Sequence, residues 1–314
     1  MPEPLRLAFV GQRVYFHYCA LEAPAGGVEP AFFDFRFGGR VDELRAGLDA
    51  LAPDVVFVWR PEIVPPGAFE DLDAVTVGYI TEPLPRPDGP AHPDLEQRLE
   101  YLRHADAANF DRIVSFDPLV APAADPIVPV WRSFPIPVSD AFFAPVRPAA
   151  GPPRIVFTGR ATPHRDAFLD PVKHDFDVVH LAHGVTDEHL SAFLREVDVG
   201  VNLHNEPYPT FENRVSVYLA AGVLVVSERL SPRHGLLPGV DYLEATGPWH
   251  LWELMTAAAR TPDAFRSIRL SGHRRAERFR ASRVFPRFCR DLLADVEAFG
   301  TPRRPTAAAT LRRS

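Results

Sequence analysis

The sequence predicts an α/β fold of two Rossmann-like, doubly wound domains with an interdomain cleft. Its 314 residues are long for one ordinary domain and suit two. Short, wholly apolar runs alternate with segments of helical period, the pattern of parallel strands covered on both faces. The alternation halts at a proline-rich stretch and then begins again.

In the first half, residues 5–11 (LRLAFVG) form an apolar run that stops at glycine, as a buried strand does. Residues 32–37 read as a second strand. Residues 41–51 carry apolar side chains at Val41, Leu44, Leu48 and Leu51, a helical spacing. Strands follow at 55–59 (VVFVW) and 75–80, then a helix over 94–108 capped by Asp94, and short strands at 113–116 and 127–130. Residues 134–153 hold so many prolines that they read as an extended linker outside either core. The second half repeats the order. Strands are expected at 154–158, 176–181, 197–203 and 223–227, and helices at 187–196, 211–221, 249–260 and 262–279. The resulting domains are 1–145 and 146–284, followed by a terminal helix over 285–300 that crosses back to the first domain. The tail 301–314 has no apolar period and is expected to be disordered.

Composition narrows the function. The formal net charge of −7 argues against a general nucleic-acid binder, which needs a basic footprint. Cys19 and Cys289 stand far apart and outside any metal or disulfide spacing, as in a reduced cytoplasmic protein. No apolar run approaches the roughly 18 residues that cross a bilayer, and the apolar start is too short for a signal peptide. All but one of the 34 basic residues are arginine, and proline and alanine are also abundant, as GC-rich codons would give. An arginine therefore counts only where its position gives it meaning.

Two positions do so. In 158–165 (TGRATPHR), Gly159 directly follows a strand, so the backbone can come close to a ligand. Arg160 and Arg165 lie just beyond, where two guanidinium groups would suit a diphosphate. The bland alternative is a glycine turn with two surface arginines. The second position is 202–214 (NLHNEPYPTFENR), which leaves a strand end and enters a helix with Thr210 as the expected N-cap. Glu212 and Asn213 suit a first helical turn, but Arg214 opposes the positive helix end unless an anion is bound. His204 lies beside this loop. His180 and His183 flank a strand end and read as structural.

Residues from about 128 to 245 resemble nucleotide-sugar glycosyltransferases of the two-Rossmann-domain (GT-B) fold, above all bacterial spore-maturation-protein-like members with a group 1 transferase domain. The stretches that carry the likeness are FPIPVSDAFFAP (134–145), IVFTGRATPHRDAFL (155–169), VDVGVNLH (197–204), ENRVSVYLAAGVLVVSE (212–228) and PGVDYLEA (238–245). The first domain is similar in layout alone. The resemblance implies transfer of a hexose-like sugar from a nucleoside-diphosphate donor, as co-substrate, to an acceptor the sequence leaves unspecified. It implies retention of configuration with no protein nucleophile. The sequence shows no carboxylate cluster of the kind that would hold Mg²⁺ at a diphosphate, so no metal and no other cofactor is expected.

The family's R-x-x-x-x-K pair, which holds the donor diphosphate, falls on Arg160 and Arg165, with arginine in place of lysine. The glutamate that binds the donor ribose falls on Val217 and its partner on Pro209, so both carboxylates are missing; Glu206 and Glu212 are the nearby substitutes. Asp241 and Tyr242, after a Pro-Gly turn, are expected near the nucleotide. On the acceptor side the candidates are Gly11, Gln12, Arg13 and His17 after the first strand, with Asp117 after another. Glu82 is the expected acceptor-orienting or base carboxylate, and His204 the second candidate for a catalytic part. The loss of the two glutamates leaves open a nucleotide-sugar-binding or interaction protein without turnover, and the scaffold also suits a nucleotide-sugar epimerase. The segment 274–290 carries seven arginines among Phe279, Phe285 and Phe288. It reads as a terminal helix with solvated arginines, or as a peripheral contact with an anionic membrane.

Overall fold

A computed structural model of the chain describes residues 3–149, 151–182 and 187–301. Contacts divide the described residues into two compact units, one within Met1–Ile136 and Ala281–Ser314, the other within Pro137–Arg280.

The first unit contains β1 (Leu5–Gly11), α1 (Arg13–Phe16), β2 (Val28–Asp34), α2 (Val41–Leu51), β3 (Val55–Trp59), β4 (Val75–Ile80), α3 (Pro93–Leu102), β5 (Arg112–Ser115), α4 (Ala121–Ala124) and β6 (Val130–Ser133). Its six parallel strands lie in the order β2-β1-β3-β4-β5-β6. Side chains alternate across such a sheet. Ala8, Val10, Val56 and Val58 pack with Leu44 and Leu48 of α2, Leu102 of α3 and Ala124 of α4. The other set, Phe9, Phe57 and Trp59, forms an aromatic face. The last helix of the chain covers it, with Phe285 centred 4.7 Å from Phe9 and 5.4 Å from Phe57.

The second unit contains β7 (Ile155–Thr158), α5 (Pro163–Asp175), β8 (Val178–Leu181), α6 (Asp187–Leu194), β9 (Val199–Asn202), α7 (Asn213–Ala220), β10 (Leu224–Ser227), β11 (Leu243–Glu244), α8 (Pro248–Arg260) and α9 (Arg266–Ala276). Its parallel strands take the order β11-β10-β9-β7-β8. Ile155, Phe157, Val199, Val201, Leu224 and Val226 pack with Leu169 and Val172 of α5 and Leu251 and Met255 of α8. On the opposite face the Tyr218 ring of α7 lies directly on Gly200, where a β-carbon would collide with it. The final helix, α10 (Ala281–Phe299), belongs to the first unit. It buries Phe285, Phe288, Cys289 and Leu292, the stripe that the helical period of its sequence allows.

Several boundaries differ from the sequence expectation for local reasons. β2 spans Val28–Asp34 rather than 32–37; Pro30 is tolerated there because β2 is an edge strand. The N-cap of α3 is His92, whose Nδ1 accepts from the Asp94 amide at 3.2 Å, and Pro93 takes the first helical position. β6 begins at Val130, where 127–130 was expected to be the strand. α7 begins at Asn213, not 211, because Phe211 is buried against His234 and Phe279 and keeps the preceding chain extended. The proline-rich stretch is not an open linker. Val138 donates its amide to Phe279 O at 2.8 Å, Phe142 is buried, and the Ala144 amide reaches Ala220 O at 3.2 Å. The basic segment 274–290 is two helices, broken at Arg280, whose ψ of 123° is extended. Phe279, Phe285 and Phe288 are all buried, so that segment keeps no apolar face at the surface. The expected disordered tail falls, but for Thr301, on residues 302–314, outside the described residues, as does His183.

Candidate functional site

The pairing of Phe157 with Val201 and of Asn202 with Ser227 sets the carboxyl ends of β7, β9 and β10 side by side. Ligands of open parallel sheets collect at this edge. The chain leaves β7 at Gly159 with φ of 143°, a conformation open in practice only to glycine. Its amide donates to Leu181 O at 2.9 Å, and the His180 Nε2 lies 2.7 Å from its carbonyl oxygen. A β-carbon at Gly159 would sit 3.1 Å from Arg214 Nη2 and 3.2 Å from Arg165 Nη1. Two guanidinium groups from different helices thus meet over one backbone bend.

Strong anchors hold them there. Arg165 is 2% exposed and donates from Nε to Leu203 O (3.2 Å) and His204 O (3.1 Å), and from Nη1 to Arg160 O (3.0 Å). Arg214 donates from Nη1 to Asn202 Oδ1 (3.1 Å) and Leu203 O (2.9 Å), and from Nη2 to Glu212 Oε2 (3.4 Å). Both guanidinium carbons lie over the Phe157 ring, at 5.3 and 5.4 Å. Arg160 donates Nε to Asn205 Oδ1 at 2.9 Å, which makes it the third cation of the group. Thr162 caps α5: its hydroxyl accepts from the Arg165 amide and donates to Asn205 O. The positive end of α5 therefore points into the same place.

Burial and then the nearby Arg214 charge pull the Arg165 pKa down to about 10, while Glu212 and Glu228 oppose the shift. Like charges gathered in a poorly solvated spot are destabilising alone, and an anion placed among them relieves the strain.

His204 is 2% exposed, and burial lowers its pKa, so the ring is neutral. Its Nε2 lies 2.9 Å from Arg229 O and must carry the proton, which leaves Nδ1 a bare acceptor with no hydrogen-bond partner among the described residues. Glu212 is the N-cap residue of α7, with Asn213 and Arg214 in the first turn. Val217 is buried within α7, so that position offers no polar atom to a ligand. Asp241 and Tyr242 are not brought to the arginines. The next residue, Leu243, pairs with Val226, so both lie toward the amino half of β10. The Asp241 carboxylate accepts from the Leu237 amide (2.9 Å) and Ser271 (2.7 Å), and the Tyr242 hydroxyl, its pKa raised to about 12 by burial, donates to Glu244 (3.2 Å).

In the first unit the candidates follow the carboxyl ends of β1, β4 and β5, each with its own partners. Gly11 ends β1 against Trp59, Gln12 precedes α1, and the Arg13 amide donates to Asp34 at 2.8 Å. The exposed Arg13 guanidinium lies 4.9 Å from the Phe32 ring centre, and His17 packs edge-on to the same ring. Glu82 follows β4 and is held 2.8 Å from Arg98, which also grips Asp94. Asp117 is buried in a pair with Arg86 at 2.6 Å; burial raises its pKa, and the Arg86 charge opposes that.

The sequence reading missed several parts of the second-unit site. Phe157 read only as a core strand residue, and nothing marked it as a platform for two cations. Asn205, which holds Arg160, sat inside a quoted stretch but had no pattern of its own. Tyr218, whose hydroxyl meets the Thr158 amide (3.0 Å) and hydroxyl (2.8 Å), braces the end of β7 from a helix 60 residues away. Glu228, at the carboxyl end of β10, could have been found by scanning every strand end for charge. Among the described residues no three His, Cys, Asp or Glu side chains are grouped to hold a metal ion, and no helix is long and apolar enough to cross a membrane.

No family model and no curated relative matches the sequence. Solved structures match by shape at low identity. HepE from Anabaena, in complex with UDP and glucose, aligns with 93% of this chain and 100% of its own at a TM-score of 0.62 and 10% identity. Sucrose-phosphate synthase from Thermosynechococcus elongatus aligns with 92% of this chain and 99% of its own at 0.58 and 12%. An α-glucosyltransferase in complex with UDP-glucose and DNA containing an abasic site aligns with 92% and 100% at 0.56 and 11%. The chain has the GT-B fold.

Proposed function

We propose that the chain is a glycosyltransferase that takes a nucleoside-diphosphate sugar at the carboxyl edge of the second unit's sheet. One observation carries the reading: Arg165 and Arg214 meet over the Gly159 bend, with Arg160 alongside, in a fold whose solved examples hold UDP and UDP-glucose. In this reading the three guanidinium groups bind the diphosphate and stabilise the charge that grows on it as the glycosidic bond breaks. Gly159 lets the backbone come close, and the positive end of α5 adds to the field. His204, neutral and buried, holds the loop whose carbonyl oxygens aim Arg165. Glu82 orients or deprotonates the acceptor, with Gly11, Gln12, Arg13 and His17 on that side. Transfer with retention fits a site that supplies charge for a leaving group and no protein nucleophile. Arginine does here what a metal ion does at other diphosphates, and the enzyme requires none.

Val217 supports a second reading, a nucleotide-sugar-binding protein without turnover, because it puts a buried methyl-bearing side chain where the resemblance expects a carboxylate. Product analysis after incubation with a panel of nucleotide sugars and candidate acceptors separates the readings. Released nucleoside diphosphate together with a glycosylated product supports transfer. Binding without turnover supports the second reading, and an isomerised donor points to epimerisation. The double variant Arg160→Ala/Arg165→Ala should weaken donor binding by about 2–4 kcal/mol, from the loss of charge-assisted contacts. Donor affinity equal to wild type in a titration of that variant would place the diphosphate elsewhere.

A further inference from the structure

We infer that the carboxyl ends of β3 and β4 form a subsite for an uncharged, polyhydroxyl acceptor, a sugar without phosphate, with Arg60 as its chief hydrogen-bond donor. Calling that ligand an acceptor rests on the transferase reading above; the subsite itself rests on the first unit alone. β3 and β4 are neighbours in the sheet, with Trp59 paired to Tyr79, so Arg60 and the pair Thr81 and Glu82 follow adjacent strand ends. Arg60 has φ of 69° and ψ of 90°, a conformation rarely adopted by a residue that carries a β-carbon. Strain of this kind persists only where its surroundings hold it, and it clusters at ligand sites. Here the Arg60 amide donates to Tyr79 O at 3.0 Å, and the Arg60 carbonyl accepts from the Ile63 amide at 3.1 Å. The partly exposed guanidinium gives Nε to Glu62 Oε1 at 2.8 Å. Its two terminal nitrogens have no partner among the described residues.

The neighbouring strand end supplies the complementary group. Arg98 holds Glu82 Oε2 at 2.8 Å, which leaves Oε1 without a partner among the described residues. Glu82 is near enough to act on Arg60: burial alone lowers the Arg60 pKa, but Glu62 and then Glu82 outweigh it and the pKa is raised. The residues just before Arg60 and Glu82 in the chain, Trp59 and Thr81, bury side-chain polar atoms, Nε1 and Oγ1, that have no partner among the described residues. Trp59 is wholly buried, and its Cδ1, bonded to Nε1, would lie 3.1 Å from a β-carbon at Gly11, the end of β1. Buried polar groups are seldom left unpaired, and two of them beside a strained arginine mark a place that takes a polar ligand. Charge decides its class. The guanidinium groups here already face carboxylates: Arg60 faces Glu62, Arg98 faces Glu82 and Asp94, and Arg86 faces Asp117. Arg13 turns to the carbonyl and ring of Phe32 on β2, the strand on the other side of β1. A phosphate group would meet no spare positive charge at β3 and β4, and Glu62 and Glu82 would repel it. A hydroxyl suits both strand ends, since it accepts from an Arg60 terminal nitrogen and donates to Glu82 Oε1. Neighbouring hydroxyls on a sugar ring offer that combination repeatedly.

Saturation-transfer NMR on the full chain tests this with glucose, galactose, mannose and maltose as neutral probes and glucose 6-phosphate as the charged one, while UDP is titrated alongside. The neutral saccharides should receive magnetisation, and glucose 6-phosphate should bind no better than glucose. Arg60→Gly removes the guanidinium and suits the positive φ, so it should unfold no earlier than wild type in urea. It should weaken saccharide binding about tenfold, the size of a hydrogen bond to a charged group, with UDP affinity unchanged. Thr81→Val should weaken the saccharides by a smaller factor. Tighter binding of glucose 6-phosphate than of glucose, wild-type saccharide affinity in Arg60→Gly, or no binding across the neutral panel overturns the inference. UDP separates the levels of failure. UDP bound by wild type while every saccharide fails sinks the subsite alone. UDP left unbound sinks the donor reading, whereas saccharide binding that depends on Arg60 upholds the subsite even then.

Discussion

At the scale of single residues, Gly159 sets the site by what it lacks. Alanine there must adopt a φ of 143° and put a methyl group within 3.2 Å of two guanidinium groups. Gly159→Ala should cost roughly 1–3 kcal/mol in a urea titration from backbone strain, and it should weaken UDP binding further by parting Arg165 from Arg214. His204 carries a different signature. Burial lowers its pKa in the folded chain, whereas the unfolded chain takes up the proton near the ordinary histidine value. The unfolded state binds more protons in that window, so stability rises with pH through it and is lost on acidification, by at most about 1.4 kcal/mol per pH unit. Denaturation midpoints at pH 5 and 7.5 should converge in His204→Asn relative to wild type. A difference as large as in wild type would assign the acid lability to another group. Their place just past a strand made Gly159, Arg160 and Arg165 candidates in the sequence, and Arg214 stood out because a cation opposes the positive end of its helix. Phe157 and Asn205 matched local expectation, as an ordinary strand residue and an ordinary loop residue, and only the fold makes them anchors.

The elements tell a similar story of strong periods and weak edges. The apolar runs of β1, β3 and β4 are found where the sequence pattern puts them, since burial on both faces leaves no alternative, and α2 is placed by the single stripe of Leu44 and Leu48. The ends drift wherever a side chain finds tertiary company: Phe211 delays α7, and Pro93 advances α3. The proline-rich stretch misled for the same reason. Proline disfavours regular structure but not packing, and Val138 and Phe142 between the prolines are buried. α10 owes its place to aromatic rings rather than to its seven-arginine neighbourhood. Phe285→Ala removes a ring in contact with Phe9, Phe57 and Trp59 and should cost about 3–5 kcal/mol, read by chemical denaturation. A loss under 1 kcal/mol would mean that the aromatic face closes without it.

Across the whole molecule the chain order and the packing order part company. The second unit is one continuous stretch, Pro137–Arg280, while the first needs residues from both termini. A chain cut after Arg280 should therefore leave the aromatic face of the first sheet uncovered, bind a hydrophobic dye and lose near-ultraviolet circular dichroism from Trp59 and its neighbours. Native-like spectra from that fragment would show that the first unit is complete without α10. The ion pair of Arg112 with Asp295 at 2.7 Å and the hydrogen bond from Arg112 to Gly300 O at 2.9 Å fasten the far end of that helix. During synthesis on the ribosome, the stretch carrying the arginine cluster can settle while its predecessor still waits for the last helix. A chaperone that follows nascent chains would meet the earlier-made half as the later-finished one.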